Sequence, residues 1–330
     1  GEVIERASRL QARQTAAVKF GFLAGIPPLG MERFWSPAVA TSGNRWQMGP
    51  GAAQRTRPAN RRRNPAFKAR SPSSAGRALG CPFIENVLYD RIGGAYAETR
   101  RPDPRIARVI RAALGDATSV VNIGAGSGSY EPTDLAVVPV EPSELMIRQR
   151  PPSLPPAVRG VAEALPLPDK SIDAALAVLT AHHWADRPAA FAEIRRVARR
   201  RAVFFTHDPD ATFGWLDDYF PGLAGDTTSR YPQLVEFEVL GRVTIEPVPV
   251  PADCTDGFTA AYWRRPNAYL DEAIRANMST FALLDGRLVA DGVARLARDL
   301  TDRSWHSRYA SLLTLPELDV GYRLVVAELG

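Results

Sequence analysis

Two short stretches carry the residue types from which a binding site for a ribose-containing ligand is built. Gly124-Ala125-Gly126-Ser127-Gly128 follows a β-branched run, Ser119–Ile123, and an acid, Glu141, closes the next apolar run, 135–140. Glycines directly after a strand let the backbone turn sharply and let a ligand approach without a Cβ in the way. A carboxylate at the tip of the neighbouring strand can accept hydrogen bonds from both hydroxyls of a ribose. The spacing is G-x-G-x-G, not the G-x-G-x-x-G of dinucleotide folds. No Gly-Lys-Ser/Thr follows, which excludes a P-loop.

A second group could act on an acceptor. His182-His183-Trp184 follows the apolar run 172–179, at the strand end where open α/β sheets place their ligands. Either histidine could take a proton near neutral pH, and Trp184 could lie against a flat acceptor; the alternative is that one histidine caps a helix or fills the core. Asp208, Trp215 and Tyr219 follow the next strand, while Asp256, Trp263 and Arg264 open a later helical stretch. They read either as an acceptor pocket and its lid, with Arg264 or Arg265 pairing a carboxylate, or as aromatic core and solvated arginines. The four histidines lack HExxH or His/Cys spacing, and Cys81 and Cys254 make no CxxC pair, so no metal site is expected. No Gly-x-Ser-x-Gly elbow is present.

The elements that must position these residues alternate. Asp103-Pro104 opens a helix with Ile106, Val109, Ile110 and Ala113 at helical spacing, and Gly115 stops it. Strands follow at 119–123, 135–140, 157–161, 172–179 and 202–205, with a helix opened by Asp186-Arg187-Pro188 before the fifth. Strands alternating with helices predict a parallel sheet. A sixth strand is predicted at 242–250 and a last at 322–327, separated by a helical insertion at about 255–318. Gly128 to Leu135 leaves almost no room for a first helix, although a parallel crossover usually takes a dozen or more residues. Pro139 predicts a bulge or a ragged second strand.

The charge is unevenly placed. The chain of 330 residues has a formal net charge of +5, yet residues 1–80 alone hold 14 Lys+Arg against 3 Asp+Glu. The body is therefore mildly acidic, which argues against nucleic acid as its partner. Residues 1–80, rich in Gly, Pro, Ser, Asn and Arg, read as a disordered basic tail; a short helix at 6–20 is the one candidate element. Residues 81–330 read as the folded domain. No stretch approaches about 18 apolar residues and the first 30 residues do not pattern as a secretory signal, so a cytoplasmic protein with two reduced thiols and no membrane partner is expected. Oligomeric state is left open.

The ordered set Val121-Asn122-Ile123-Gly124-Ala125-Gly126-Ser127-Gly128, Val140-Glu141-Pro142-Ser143, Ala162-Glu163-Ala164-Leu165-Pro166, Ser171-Ile172-Asp173 and Leu179-Thr180-Ala181-His182-His183-Trp184 resembles the class I S-adenosylmethionine methyltransferases, in particular the small-molecule group that includes ubiquinone-biosynthesis-like enzymes. The resemblance covers roughly residues 85–330. It implies an α/β, Rossmann-like doubly wound sheet, mostly parallel with an antiparallel last strand, and S-adenosylmethionine as cofactor. By it, Gly124, Gly126 and Gly128 line the methionine part, Asn122 belongs to the cofactor site, Glu141 holds the ribose, Ala162 and Glu163 sit beside the adenine, and Leu179-Thr180 lie near the sulfonium. Tyr89, Tyr96 and Arg100 fall in an arm over the cofactor. Position 122 is Asn where the family more often has Asp, and 161 is Val where many relatives have Asp. The implied activity is in-line methyl transfer to a small-molecule acceptor. Two other readings stay open: a nicotinamide-dependent hydride-transfer enzyme, and a non-catalytic cofactor-binding or RNA-modifying protein using the basic tail.

Overall fold

The computed structural model describes residues 100–223 and 230–330. The expectations for the tail, for a helix at 6–20, for order beginning near Cys81 and for Tyr89 and Tyr96 lie outside the described residues.

Chain entry follows the capping logic of the sequence. Asp103 accepts the Arg105 backbone N–H, Pro104 takes the first helical position, and α1 runs Pro104–Ala113 with Ile106 and Ile110 buried. Strand β1 is Ser119–Ile123 and β2 is Ala136–Glu141. A short helix, α2 (Glu144–Arg148), leads to β3 (Val158–Arg159). Next come β4 (Ile172–Val178), α3 (Arg187–Val197, capped by Asp186) and β5 (Ala198–His207). Strand β6 is Arg242–Pro247, and β7 (Val250–Pro251) follows. The helical insertion, which includes the 16-residue helix Gly286–Thr301, then runs to β8 (Glu317–Leu318), and β9 is Tyr322–Glu328. Because β7 pairs antiparallel with β8, the insertion leaves and re-enters the domain through one narrow ribbon.

The main sheet has the order β3-β2-β1-β4-β5-β9-β6, with β9 antiparallel to both β5 and β6. The expected parallel sheet with an antiparallel last strand is thus present. No helix forms between β1 and β2, as the spacing required. The second strand is not ragged, however. Its register with β1 runs unbroken from Ser119↔Ala136 to Ile123↔Val140, straight through Pro139. Ala136 N–H donates to Thr118 O and Val140 O accepts from Gly124 N–H. By alternation, Pro139 turns its missing N–H away from β1, toward a side where pairing starts only at Val140↔Val158.

Alternation along the strands divides the core. Val120, Leu176, Val203 and Phe205 pack with α1, with Trp215 from the segment after β5, and with the insertion, whose Trp263, Tyr269 and Trp305 are buried. Val121, Val138, Ala175 and Phe204 pack with Phe191 and Ile194 of α3 on the opposite face. The C-terminal tips of β1, β2, β4 and β5 are left side by side, and the sequence motifs lie there.

Candidate active site

The glycine loop is held from several sides. Gly124, Gly126 and Gly128 all have positive φ, a conformation that costs other residues energy. Their missing side chains serve the protein's own packing more than the expected open approach for a ligand. A Cβ on Gly124 would lie 2.0 Å from Thr180 Oγ1, and one on Gly128 would lie 2.2 Å from Leu154 Cδ1. Only at Gly126 is there ordinary space, with Met146 Cε 3.4 Å away. The first glycine therefore lets the tips of β1 and β4 meet, which brings Thr180 to the loop.

Glu141 is 6% exposed. One carboxylate oxygen accepts from Gly126 N–H at 2.8 Å and the other from Ser143 N–H at 2.9 Å. Burial raises its pKa above the ordinary value, opposed by those two N–H donors and by the charge of Arg150. A carboxylate has about four acceptor positions, so two remain for the hydroxyls of a ribose. Asn122 is buried and its Nδ2 donates to Glu131 Oε1 at 3.0 Å, while its Oδ1 has no protein partner. Glu131 in turn binds Arg150, Nη2 to Oε2 at 2.7 Å. Neither Arg150 nor Glu131 belongs to a motif, and the two are 19 residues apart, so their pairing leaves no local signal.

Ala162 is buried beneath the tip of β3. Glu163 is not directed to the glycine loop. Its carboxylate accepts from the backbone N–H groups of Ala185 and Asp186, at 2.8 and 3.2 Å, and so ties the β3 loop to the entry of α3. Both bonds are carried by Oε1.

At the tip of β4, Leu179 adopts φ +50°, a left-handed conformation that is a genuine outlier for a bulky residue. Its N–H donates to Phe205 O at 2.7 Å, which pins the strained residue to β5. The chain then turns through a single 3-10 turn, Ala181–His183. His182 is 7% exposed and neither ring nitrogen has a protein partner. Its ring stacks on Tyr231, with centroids 4.1 Å apart and planes at 15°, and lies 3.8 Å from the His183 ring. Burial, followed by the neighbouring His183 and Arg230, holds the His182 pKa well below the ordinary imidazole range. Burial and then Arg230 take His183 to about 3. His183 Nδ1 lies 3.4 Å from Arg230 Nη2.

His207, at the end of β5, joins the same group through Tyr231, whose ring centroid is 5.7 Å away. Its Nε2 lies 2.9 Å from Val320 O, and a carbonyl only accepts, so Nε2 carries the proton. Nδ1 is then a bare acceptor without a partner. Burial holds the His207 pKa to about 4. The sequence reading overlooked His207 and Tyr231, which join the site through ring stacking and not through a motif.

The expected acceptor-pocket residues mostly belong elsewhere. Trp184 packs edge-on against Phe191 and Phe204 in the core. Trp215 donates from Nε1 to Trp263 O at 2.7 Å and meets Tyr219, Tyr269 and Trp305 edge to face. Trp263 is fully buried, its Nε1 donating to Val250 O. Arg264 points to the surface and donates to Leu315 O, while Arg265 lies over the Tyr262 ring. Asp208 accepts from Asp210 N–H and lies 3.6 Å from Arg323. These residues fix the insertion in place, because an indole buried with its N–H bonded to a carbonyl is a packing element. Asp256 does reach the loop: it accepts from Tyr130 OH at 2.8 Å and Arg100 Nε at 2.7 Å, tying insertion, glycine loop and arm together.

A mostly parallel sheet with this strand order, a glycine loop at β1 and an acid at the tip of β2 define a nucleoside-binding α/β protein of the methyltransferase type. The family profile described as "Methyltransferase domain" matches residues 121–206. A crystal structure from Anabaena variabilis, described as a methyltransferase from an antibiotic biosynthesis pathway, is 36% identical, covers 69% of this chain and 98% of its own, and superposes with a TM-score of 0.65. Uncharacterized methyltransferases of Mycobacterium tuberculosis and Mycobacterium bovis are each 35% identical over 133 residues, 37% of this chain and 53% of theirs. The chain thus spans about half the length of the curated mycobacterial relatives it matches. It belongs to the class I S-adenosylmethionine-dependent methyltransferases, and the hydride-transfer reading falls with that. Among the described residues, no helix is long and apolar enough to cross a membrane.

The residues present fit S-adenosylmethionine. Glu141 keeps acceptor capacity for a ribose, and the unpartnered Oδ1 of Asn122 offers an acceptor at the glycine loop.

Proposed function

We propose that the chain transfers the methyl group of S-adenosylmethionine to a small-molecule acceptor by in-line displacement, with the acceptor seated against the His182–Tyr231 stack at the tips of β4 and β5. The cofactor, when bound, supplies a methyl carbon already activated by its sulfonium. The work left to the chain is positioning and exclusion of water. In this reading Asn122, Gly126, Glu141 and Thr180 hold the cofactor, and the insertion anchored by Asp256 closes over it.

One observation carries the acceptor site: His182 is buried beside the strained Leu179-Thr180 tip with both ring nitrogens unpartnered. A buried polar group without a partner costs stability, and an acceptor hydroxyl, amine or carboxyl group would satisfy it. Held neutral by burial, His182 can accept a hydrogen bond at neutral pH and on through the ordinary imidazole range. That favours orienting the acceptor and taking its proton only as the new bond forms; a strong resident base is not supported.

Two measurements test the reading. His182→Phe should lower kcat about 100-fold, within the usual worth of a positioned acid–base group, while S-adenosylhomocysteine binds as in wild type. Unchanged turnover would remove His182 from the reaction. Transfer from a chirally labelled methyl group to a small acceptor should invert its configuration, and retention would break the in-line mechanism.

A further inference from the structure

The link from β1 to β2 lacks the helix that usually follows a glycine loop. In related architectures that helix presents free N–H groups and the positive end of its dipole to an anionic ligand group. Here the chain passes from Gly128 to Ala136 through turns. Arg150, just beyond α2, lies against the glycine loop. Its side chain is 4% exposed and that of Glu131 is 1% exposed. Nη1 donates to Gly126 O at 3.2 Å, and Nη2 donates to Glu131 Oε2 at 2.7 Å and Pro155 O at 3.0 Å. A Cβ on Gly128 would lie 3.4 Å from Nη1, so the guanidinium runs along the Gly126–Gly128 turn. Gly126 is thereby gripped on both sides, its N–H by the Glu141 carboxylate and its carbonyl by Arg150.

Two groups of this cluster are unspent. Arg150 Nε, a charged donor, and Asn122 Oδ1, an acceptor, are both buried without protein partners. Both side chains are held by the same residue, since Glu131 takes Arg150 on one oxygen and Asn122 on the other. An unspent cationic donor beside an unspent acceptor is the complement of a free α-amino acid group: carboxylate to the donor, ammonium to the acceptor.

We propose that Arg150, positioned by Glu131, binds the carboxylate end of the cofactor's methionyl group and takes the electrostatic place of the missing helix. The proposal rests on the reading that the glycine loop faces the methionine part of the cofactor. A full charge oriented by a buried carboxylate supplies what a half-charge at a helix end otherwise would. It also accounts for a buried ion pair of a kind that proteins seldom retain for stability alone.

The test compares two ligands on the full chain by calorimetry. S-adenosylhomocysteine carries the amino acid group, and 5′-methylthioadenosine lacks it but keeps the ribose and adenine. Arg150→Met should weaken S-adenosylhomocysteine about 10- to 100-fold, the worth of a charged hydrogen bond, and leave 5′-methylthioadenosine within about twofold. Arg150→Lys should recover part of the loss, and Glu131→Gln should show the same ligand selectivity with a smaller drop. These two variants carry the test if Arg150→Met does not fold. An unchanged affinity for S-adenosylhomocysteine overturns the proposal while leaving the glycine-loop reading intact. So does an equal loss for both ligands, which would mean simple collapse of the loop. If wild type binds 5′-methylthioadenosine and S-adenosylhomocysteine equally well, the glycine-loop reading itself fails.

Discussion

The two ends of the site are built on opposite principles. At the cofactor end, buried charges are matched to backbone groups: Glu141 holds Gly126 and Ser143, and Arg150 with Glu131 holds the carbonyl side of the same loop. At the proposed acceptor end no ion pair to His182 or His207 is found among the described residues; aromatic faces hold the rings, and ring nitrogens are left unspent. The difference teaches how one fold serves a constant cofactor and a variable acceptor. A fixed ligand rewards donors locked in advance, because no reorganisation is then needed on binding. An acceptor site stacked from flat rings can be altered without disturbing the charge network beside it.

The comparison is broken most strongly by acid. Burial keeps His182 neutral and His207 at a pKa of about 4, against an ordinary value near 6.5. Both stay neutral in the folded chain while the unfolded chain takes up protons below that ordinary value. Stability is therefore unaffected above about pH 6.5 and falls as pH drops toward 4, each histidine contributing about 1.4 kcal/mol per pH unit. With His183, held to about 3, the three histidines remove about 6 kcal/mol by pH 5. Urea unfolding at pH 7.5 and pH 5 measures it, and His207→Gln should reduce the loss by roughly a third; an equal loss in that variant would dissociate the effect from His207.

The cofactor end is sharpened by removing Glu141. Glu141→Ala leaves two buried N–H groups without acceptors, each costing about 1–3 kcal/mol, and removes the ribose contact. S-adenosylhomocysteine affinity should fall at least about 100-fold and thermal stability should drop with it. Glu141→Gln, which keeps one acceptor oxygen, should fall between. A variant with wild-type affinity by calorimetry would contradict the assignment.

Smaller effects separate the site from its scaffold. Glu163→Gln should change S-adenosylhomocysteine affinity less than twofold, since its carboxylate serves the entry of α3; a tenfold loss would restore it to the cofactor. Arg264→Ala, at the surface, should leave both turnover and stability nearly unchanged, within about 0.5 kcal/mol. A large drop in turnover would return Arg264 to the acceptor pocket.

Much of the fold was legible from local signals. The Asp103-Pro104 and Asp186 caps, the apolar runs of β1 and β4 and the missing first helix are matters of spacing and residue type, while the antiparallel last strand followed from the family resemblance. The cofactor motif was equally legible, because Gly126 and Glu141 lie at the ends of adjacent parallel strands and any such pair must meet. The tryptophans stayed undecided in the sequence for a physical reason: Trp184, Trp215 and Trp263 have the same appearance whether they line a site or fill a core. Only their partners, Phe191, Trp305 and the Val250 carbonyl, decide which.

The sequence by itself determined the class of protein and the nucleoside end of its site, since those depend on residue types at fixed offsets along strands. Tertiary structure alone decided how the loop is clamped and which rings gather at the tips of β4 and β5. Arg150 and Glu131 meet only because the chain folds back after α2, and His182 meets Tyr231 across 49 residues. Ion pairing and ring stacking are governed by distance in space, and separation along the chain leaves no trace of them.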